Sequence, residues 1–275
     1  MTNKTYTLIY FLFIGISLLM IIQLFKANKE GFESNVTSFT TKTGLEVYDD
    51  FYTDIYDFFM KDDNKNIFEI SNLIKWGNLN DRSFILDVGS GTGHHVAELN
   101  ENYKVIGLDL SESMIKKAKK NYPNCEYLHG DVNNTLLFYP NTFSHISCFY
   151  YTLYYIQDKS LFFENCIRWL NNGGYLMIHL VDKELFISDI DTTRLSEEDI
   201  EYRSEYHFKN DKCVLSELIK ERDGNVRQNE HMLYIEYHED IIKLAESKGF
   251  KVHKKIEMDS CDYDDEYLYV LKKSI

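Results

Sequence analysis

Phe84-Ile-Leu-Asp-Val-Gly-Ser-Gly-Thr-Gly93 is a short apolar run that breaks into glycines at alternate positions. Phe84 to Val88 reads as a buried strand. Gly89, Gly91 and Gly93 then form a loop whose backbone can reach dihedrals closed to other residues and can let a ligand come close. His94 to Asn102 follows as a helix, and its first turn leaves N–H groups free for polar ligand atoms. Asp87 stands on the strand just before the loop.

Outward from this unit, strands and helices alternate. Lys104 to Asp109 is a second strand and Ser113 to Asn121 a helix with four lysines on its wet side. Cys125 to Leu128 is a third strand, running into Gly130-Asp131. Phe143 to Phe149 is a fourth strand, Lys159 to Leu170 a helix, Asn171 to Gly174 a turn and Tyr175 to Leu180 a fifth strand. Such alternation implies a parallel sheet with right-handed crossovers. Acids therefore mark three successive strand ends: Asp87, Asp109, where a carboxylate can take two ribose hydroxyls, and Asp131, where one can meet an adenine amino group.

The segments DVGSGTG, VIGLDLSESMIKKAK, HGD and WLNNGGYLMI, between Phe84 and Val181, resemble the class I S-adenosylmethionine-dependent methyltransferase family. The resemblance implies a Rossmann-like α/β fold with S-adenosylmethionine as cofactor. It implies that Gly89, Gly91 and Gly93 line the methionine part, that Asp87 helps hold its amino group, and that Asp109 holds the ribose. Asp131 would meet the adenine, flanked by Leu110, Met114 and Val132. Two departures stand out: Ser144 where the family often has Asp, and Asn172 where proline is usual. A nicotinamide-dependent oxidoreductase would need G-x-G-x-x-G, and the third glycine falls on His94 or Val96 in the two possible registers. No catalytic base is identifiable, so a non-catalytic, membrane-tethered module that binds the cofactor is the alternative reading.

The flanks are less regular. Tyr48 to Met60 has Tyr48, Tyr52, Ile55, Tyr56 and Phe59 at helical spacing, and Ile67 to Trp76 repeats the pattern. Downstream, Glu201 to Phe208, Cys213 to Arg222 and Val226 to Glu236 are extended segments joined by hairpin-type turns, and their resemblance to the family's substrate lid implies that 201–236 is a small β lid over the substrate. His238 to Lys248 is a helix stopped by Gly249. Phe250 to Met258 and Tyr267 to Lys272 complete a seven-stranded, mostly parallel sheet with an antiparallel last strand. The aromatic run after the fourth strand falls where the resemblance implies a substrate-facing loop, so Tyr150 and Tyr154 are the substrate-pocket candidates. The adjacent His94 and His95 point in different directions on a helix, so packing is expected of them and no metal.

Tyr6 to Phe25 (YTLIYFLFIGISLLMIIQLF) carries no charge, over roughly the 20 residues that span a hydrocarbon core. The run is too long, and its flank too poor a cleavage site, for a signal peptide. Residues 1–30 are therefore expected to be a single-pass anchor and its flank, 31–43 a polar linker, and 44–275 the methyltransferase domain. Lys26 and Lys29 follow the segment while Lys4 precedes it, which leans toward a cytosolic domain. The five cysteines are widely spaced, the usage of a reducing compartment and not of a zinc site. A formal net charge of −14 over 275 residues disfavours nucleic acid as a partner. A small-molecule or lipid acceptor is expected; its identity stays open, with a quinone-like ring and a protein side chain among the alternatives.

Overall fold

The glycine-rich stretch sits at the centre of a seven-stranded sheet in the computed structural model, which describes residues 36–188, 193–197, 200–209, 212–261 and 263–274. The expected anchor, residues 1–30, lies outside these. Among the described residues no helix is long and apolar enough to cross a membrane.

In chain order the elements are β1 (Ser38–Thr43), α1 (Asp50–Met60), α2 (Asp63–Gly77), β2 (Phe84–Val88), α3 (His94–Asn100), β3 (Lys104–Asp109), α4 (Glu112–Asn121), β4 (Glu126–His129) and β5 (Phe143–Cys148). They continue with α5 (Thr152–Tyr155), α6 (Lys159–Trp169), β6 (Leu170–Val181), α7 (Lys183–Ser188), β7 (Thr193–Glu197), β8 (Ile200–Lys209), β9 (Lys212–Glu221) and β10 (Asn225–Tyr234). The chain closes with α8 (His238–Ser247), β11 (Phe250–Met258) and β12 (Tyr263–Lys273). Side chains start the helices where the sequence supplies them. Asp49, Asp62, Ser111 and Asp158 each accept a first-turn N–H, satisfying donors that a helix start leaves over.

The main sheet has the order β11-β12-β6-β5-β2-β3-β4. Pairs among β2 to β6 are parallel, whereas β12 runs antiparallel to both β6 and β11. Successive β2 residues bury on opposite faces, as the pleat requires. Ile85 belongs to the buried cluster that holds Leu73, Val96 and Leu99, and Leu86 to the one that holds Phe143, Ile146, Phe162 and Trp169. Ser144, where an acid was expected by resemblance, accepts from the Phe84 N–H at 2.8 Å and donates to the Phe84 carbonyl at 3.1 Å, stitching β5 to β2. The chain leaves β2 toward β3 and β4, then returns to β5 on the other side. That reversal opens a crevice at the carboxyl ends of β2 and β5, where open α/β sheets bind ligands.

A second sheet of five strands, β1-β10-β9-β8-β7, contains the expected lid. The expectation that residues 31–43 are only a linker is corrected for 38–43. Ser38 to Thr43 pairs in parallel with Asn225 to Glu230 of β10. This edge strand is almost wholly exposed. Its threonines favour extended backbone, and its polar faces can stay in water while the main chain completes the sheet.

Candidate functional site

The glycines after β2 adopt the left-handed conformation, with φ of 73° at Gly89, 51° at Gly91 and 95° at Gly93. They serve different ends. A Cβ on Gly89 would stand 2.3 Å from Thr152 Cγ2, and one on Gly93 would stand 2.4 Å from the Tyr127 hydroxyl. Those two glycines let α5 and β4 close in. A Cβ on Gly91 would meet nothing within 4 Å. The loop backbone at Gly91 is therefore open to approach from outside, the arrangement a ligand-binding loop needs.

Asp87 is buried, and its Oδ1 accepts from the Ser147 hydroxyl at 2.6 Å. Burial pushes its carboxyl up to about 6, against the pull of His95 and the Ser147 bond. Beneath it, His95 Nε2 lies 2.8 Å from Glu69 Oε2. Burial alone would lower this imidazole, but Glu69 and Asp87 hold it above its ordinary value. A buried Glu69–His95–Asp87 series thus underlies the loop.

Asp109, at the end of β3, accepts from the Gly91 N–H at 2.9 Å and from the Ser111 N–H at 2.8 Å. Burial raises its carboxyl, and these N–H bonds pull it back. One carboxylate therefore ties the glycine loop to the start of α4 and keeps lone pairs for hydroxyl donors. Leu110 is exposed beside it, while Met114 and Val132 are buried. Asp131 lies exposed after β4 and accepts from the Asn133 N–H at 2.8 Å.

Helix α1 roofs this loop. Asp57 takes the Thr92 hydroxyl and lies 3.1 Å from His94 Nε2, and Ser113 and Lys117 of α4 bond Asp50 and Asp54. Both histidines of the His94-His95 pair therefore have carboxylate partners. Under the roof is a cavity of ≈ 70 Å³ whose lining includes Tyr56, Asp87, Gly89, Gly91 and Tyr150. A larger groove of ≈ 740 Å³ lies near Tyr122 and Asn124, and none of the three strand-end acids lines it.

The two tyrosine candidates separate. Tyr150 stands at the cavity with φ 49°, and its hydroxyl donates to Asn66 Oδ1 at 2.7 Å. Tyr154 is corrected: it is a core residue, 1% exposed, whose hydroxyl accepts from the Val181 N–H at 2.9 Å. The short turn of α5 rotates Tyr154 into the sheet, where the main-chain donor needs a partner, and directs Tyr155 to the lid sheet, its hydroxyl 3.4 Å from His231 Nδ1. Sequence reasoning also missed Glu217 and His231. Glu217 is 1% and His231 2% exposed on the lid sheet, joined at 2.8 Å. A usable signal existed: Cys213, Leu215, Glu217 and Ile219 fall at strand period, setting a carboxylate in a buried face.

The residues fit the implied cofactor. An open glycine loop suits the methionine chain, Asp87 an ammonium, and Asp109 a diol, with an apolar patch at Leu110, Met114 and Val132 for a flat ring.

Residues 85–174 match the family model described as a methyltransferase domain. Trans-aconitate 2-methyltransferase of Escherichia coli strain 55989 is 26% identical over 105 residues, 37% of this chain and 40% of that protein. The match thus spans only about two fifths of that curated relative. An S-adenosylmethionine-dependent methyltransferase from Clostridium acetobutylicum superposes with a TM-score of 0.68 at 21% identity, covering 82% of this chain and 98% of the other. The S-adenosylmethionine-bound amino pentose methyltransferase CalS10 from Micromonospora echinaspora gives 0.66 at 18% identity, covering 82% and 97%.

Proposed function

We propose that the chain is a class I, S-adenosylmethionine-dependent methyltransferase that transfers a methyl group to a small-molecule or lipid acceptor, a reading supported by the match of residues 85–174 to a methyltransferase-domain model. The observation that carries the reading is the convergence of Asp87, the open Gly91 backbone and Asp109 on one crevice.

Asp87 holds the ammonium of the cofactor, Asp109 its ribose, and Leu110, Met114, Asp131 and Val132 its adenine. When bound, S-adenosylmethionine supplies a methyl group already activated by its sulfonium. The protein's task is then alignment. Helix α1 and the lid sheet exclude water and fix the acceptor against the cofactor, a contribution on the order of 7–11 kcal/mol in well-oriented systems. Tyr150 forms the lower wall of the acceptor pocket and the lid strands its upper wall.

The hydrophobic run at residues 6–25 anchors the chain as a single-pass protein, with its domain in the cytosol. Its length and lack of charge support this. Protease accessibility in sealed vesicles tests the orientation.

The functional test is incubation of the full chain with methyl-labelled S-adenosylmethionine and fractionated metabolite and lipid extracts. Label carried into an extracted compound supports the reading. Binding without transfer to any fraction favours the non-catalytic module instead.

A further inference from the structure

The lid sheet buries a carboxylate–imidazole pair, Glu217 and His231. Glu217, on β9, collects four donors: the hydroxyls of Tyr52 at 2.7 Å and Tyr202 at 2.6 Å, the Asn229 amide at 3.0 Å and His231 Nε2 at 2.8 Å. Burial would raise this carboxyl, but His231 and the two tyrosines hold it below its ordinary value. A buried pair of this kind is poor glue. Well-packed apolar residues of the same volume often stabilise as much or more. The pair therefore calls for a use.

Its geometry supplies one. Glu217 is an acceptor only, so His231 Nε2 carries the ring proton, and the lone pair lies on Nδ1. Nδ1 faces the hydroxyls of Tyr48 and Tyr155, each at 3.4 Å. Those tyrosines reach in from the two edges of the glycine-loop site. The Tyr48 carbonyl accepts from the Ser111 hydroxyl, next to Asp109 and Leu110. Tyr155 follows Thr152, which packs on Gly89. Tyr56, in the cavity with Asp87, feels the charges of both Asp109 and Glu217. The rings of Tyr48 and Tyr155 lie 5.6 Å and 5.8 Å from the imidazole. Aromatic rings beside a buried carboxylate suit an ammonium group.

We propose that the Glu217–His231 pair removes the proton from the methyl acceptor, and that the acceptor is an alkylamine held beside Tyr48 and Tyr155. This rests on the methyltransferase reading. An alkylammonium has no lone pair to attack with. His231 Nδ1 takes one proton from it, and the freed nitrogen pair forms the N–C bond while the C–S bond breaks with its electrons left on sulfur. The product is the methylated ammonium, and the proton on His231 leaves to solvent. The charged and titratable groups around His231 are Glu217 of β9, Tyr48, Tyr52 and Tyr56 at α1, Tyr155 of α5, and Tyr202 and Tyr206 of β8. Arg227 of β10 also lies near, neutralised by Asp49 at 2.8 Å.

The test uses the full chain, labelled S-adenosylmethionine and matched probes: ethanolamine against ethylene glycol and glycolate, and glucosamine against glucose. Label should enter the amines alone. His231→Gln should lower kcat/KM at least 100-fold, leave cofactor affinity within twofold, and move the ascending limb of kcat/KM up to the pH range in which the amine itself loses its proton. Unchanged turnover and limb in folded His231→Gln would overturn the proposal, as would label in alcohols or acids only, or in no amine while cofactor is bound. Should that variant not fold, nitrogen-15 spectra of wild-type histidines decide, because a His231 protonated on Nδ1 alone contradicts the role. Failure of the wild type to bind S-adenosylmethionine would instead sink the underlying methyltransferase reading.

Discussion

The Gly91 N–H donates to Asp109 Oδ2 at 2.9 Å, so the second acid is built into the loop that follows the first strand. Cofactor binding and loop conformation therefore share a residue. Asp109→Ala should weaken S-adenosylmethionine binding at least tenfold, because charge-assisted bonds contribute on the order of 1.5–3 kcal/mol each. Calorimetry on a folded variant reads this directly, and unchanged affinity would contradict the placement.

Two alanine substitutions in the loop should diverge. Gly89→Ala forces a Cβ into Thr152 at φ 73°, and overpacking plus left-handed strain should cost about 2–4 kcal/mol of stability. Gly91→Ala meets no protein atom within 4 Å and should cost only the strain, about 1–2 kcal/mol, yet lose cofactor affinity because its methyl points into the approach. Denaturant melts beside binding isotherms separate the two. Equal stability loss would count against the division of labour.

The pH dependence follows from Asp87. Its carboxyl titrates at about 6 in the folded protein and at about 3.9 when unfolded. A raised carboxyl costs stability once ionised, so the cost is absent at low pH and fully present above about 6. Holding an ammonium needs the ionised form. Cofactor affinity should therefore fall as pH drops below about 6, approaching tenfold per unit. Ser147→Ala removes a bond that favours the anion and should move the midpoint upward. A pH-independent affinity between 5 and 7 would contradict Asp87 as the ammonium partner.

Glu266 behaves in the opposite sense. It is buried between Lys65 and His179, which hold its carboxyl down to about 2 against its burial. A lowered carboxyl gives stability present above its unfolded value of about 4.3 and lost as pH falls toward 2. Glu266→Gln leaves Lys65 buried without its anion and should cost about 3–5 kcal/mol, visible in thermal melts at neutral pH. A loss under about 1 kcal/mol would show that the cluster relaxes or takes up water.

The main sheet was legible because its signals are local. The apolar run from Phe84, the glycines and the acids at strand ends each follow from nearby sequence. The edge strand Ser38 to Thr43 was not legible, since its partner lies about 190 residues away and neither face is apolar enough to show a period. Tyr154 misled because seven aromatic-rich residues carry no clear period, so which ring faces the core depends on the Val181 N–H. Glu217 was readable from its register, but its pairing with His231 needed the fold.

The most direct measurement is calorimetric titration of the full chain with S-adenosylmethionine, with NAD as the control ligand. The expected result is one cofactor per chain, no NAD binding, and at least tenfold weaker affinity in folded Asp109→Ala. NAD binding, or no S-adenosylmethionine binding by the folded wild-type protein, would contradict the methyltransferase assignment.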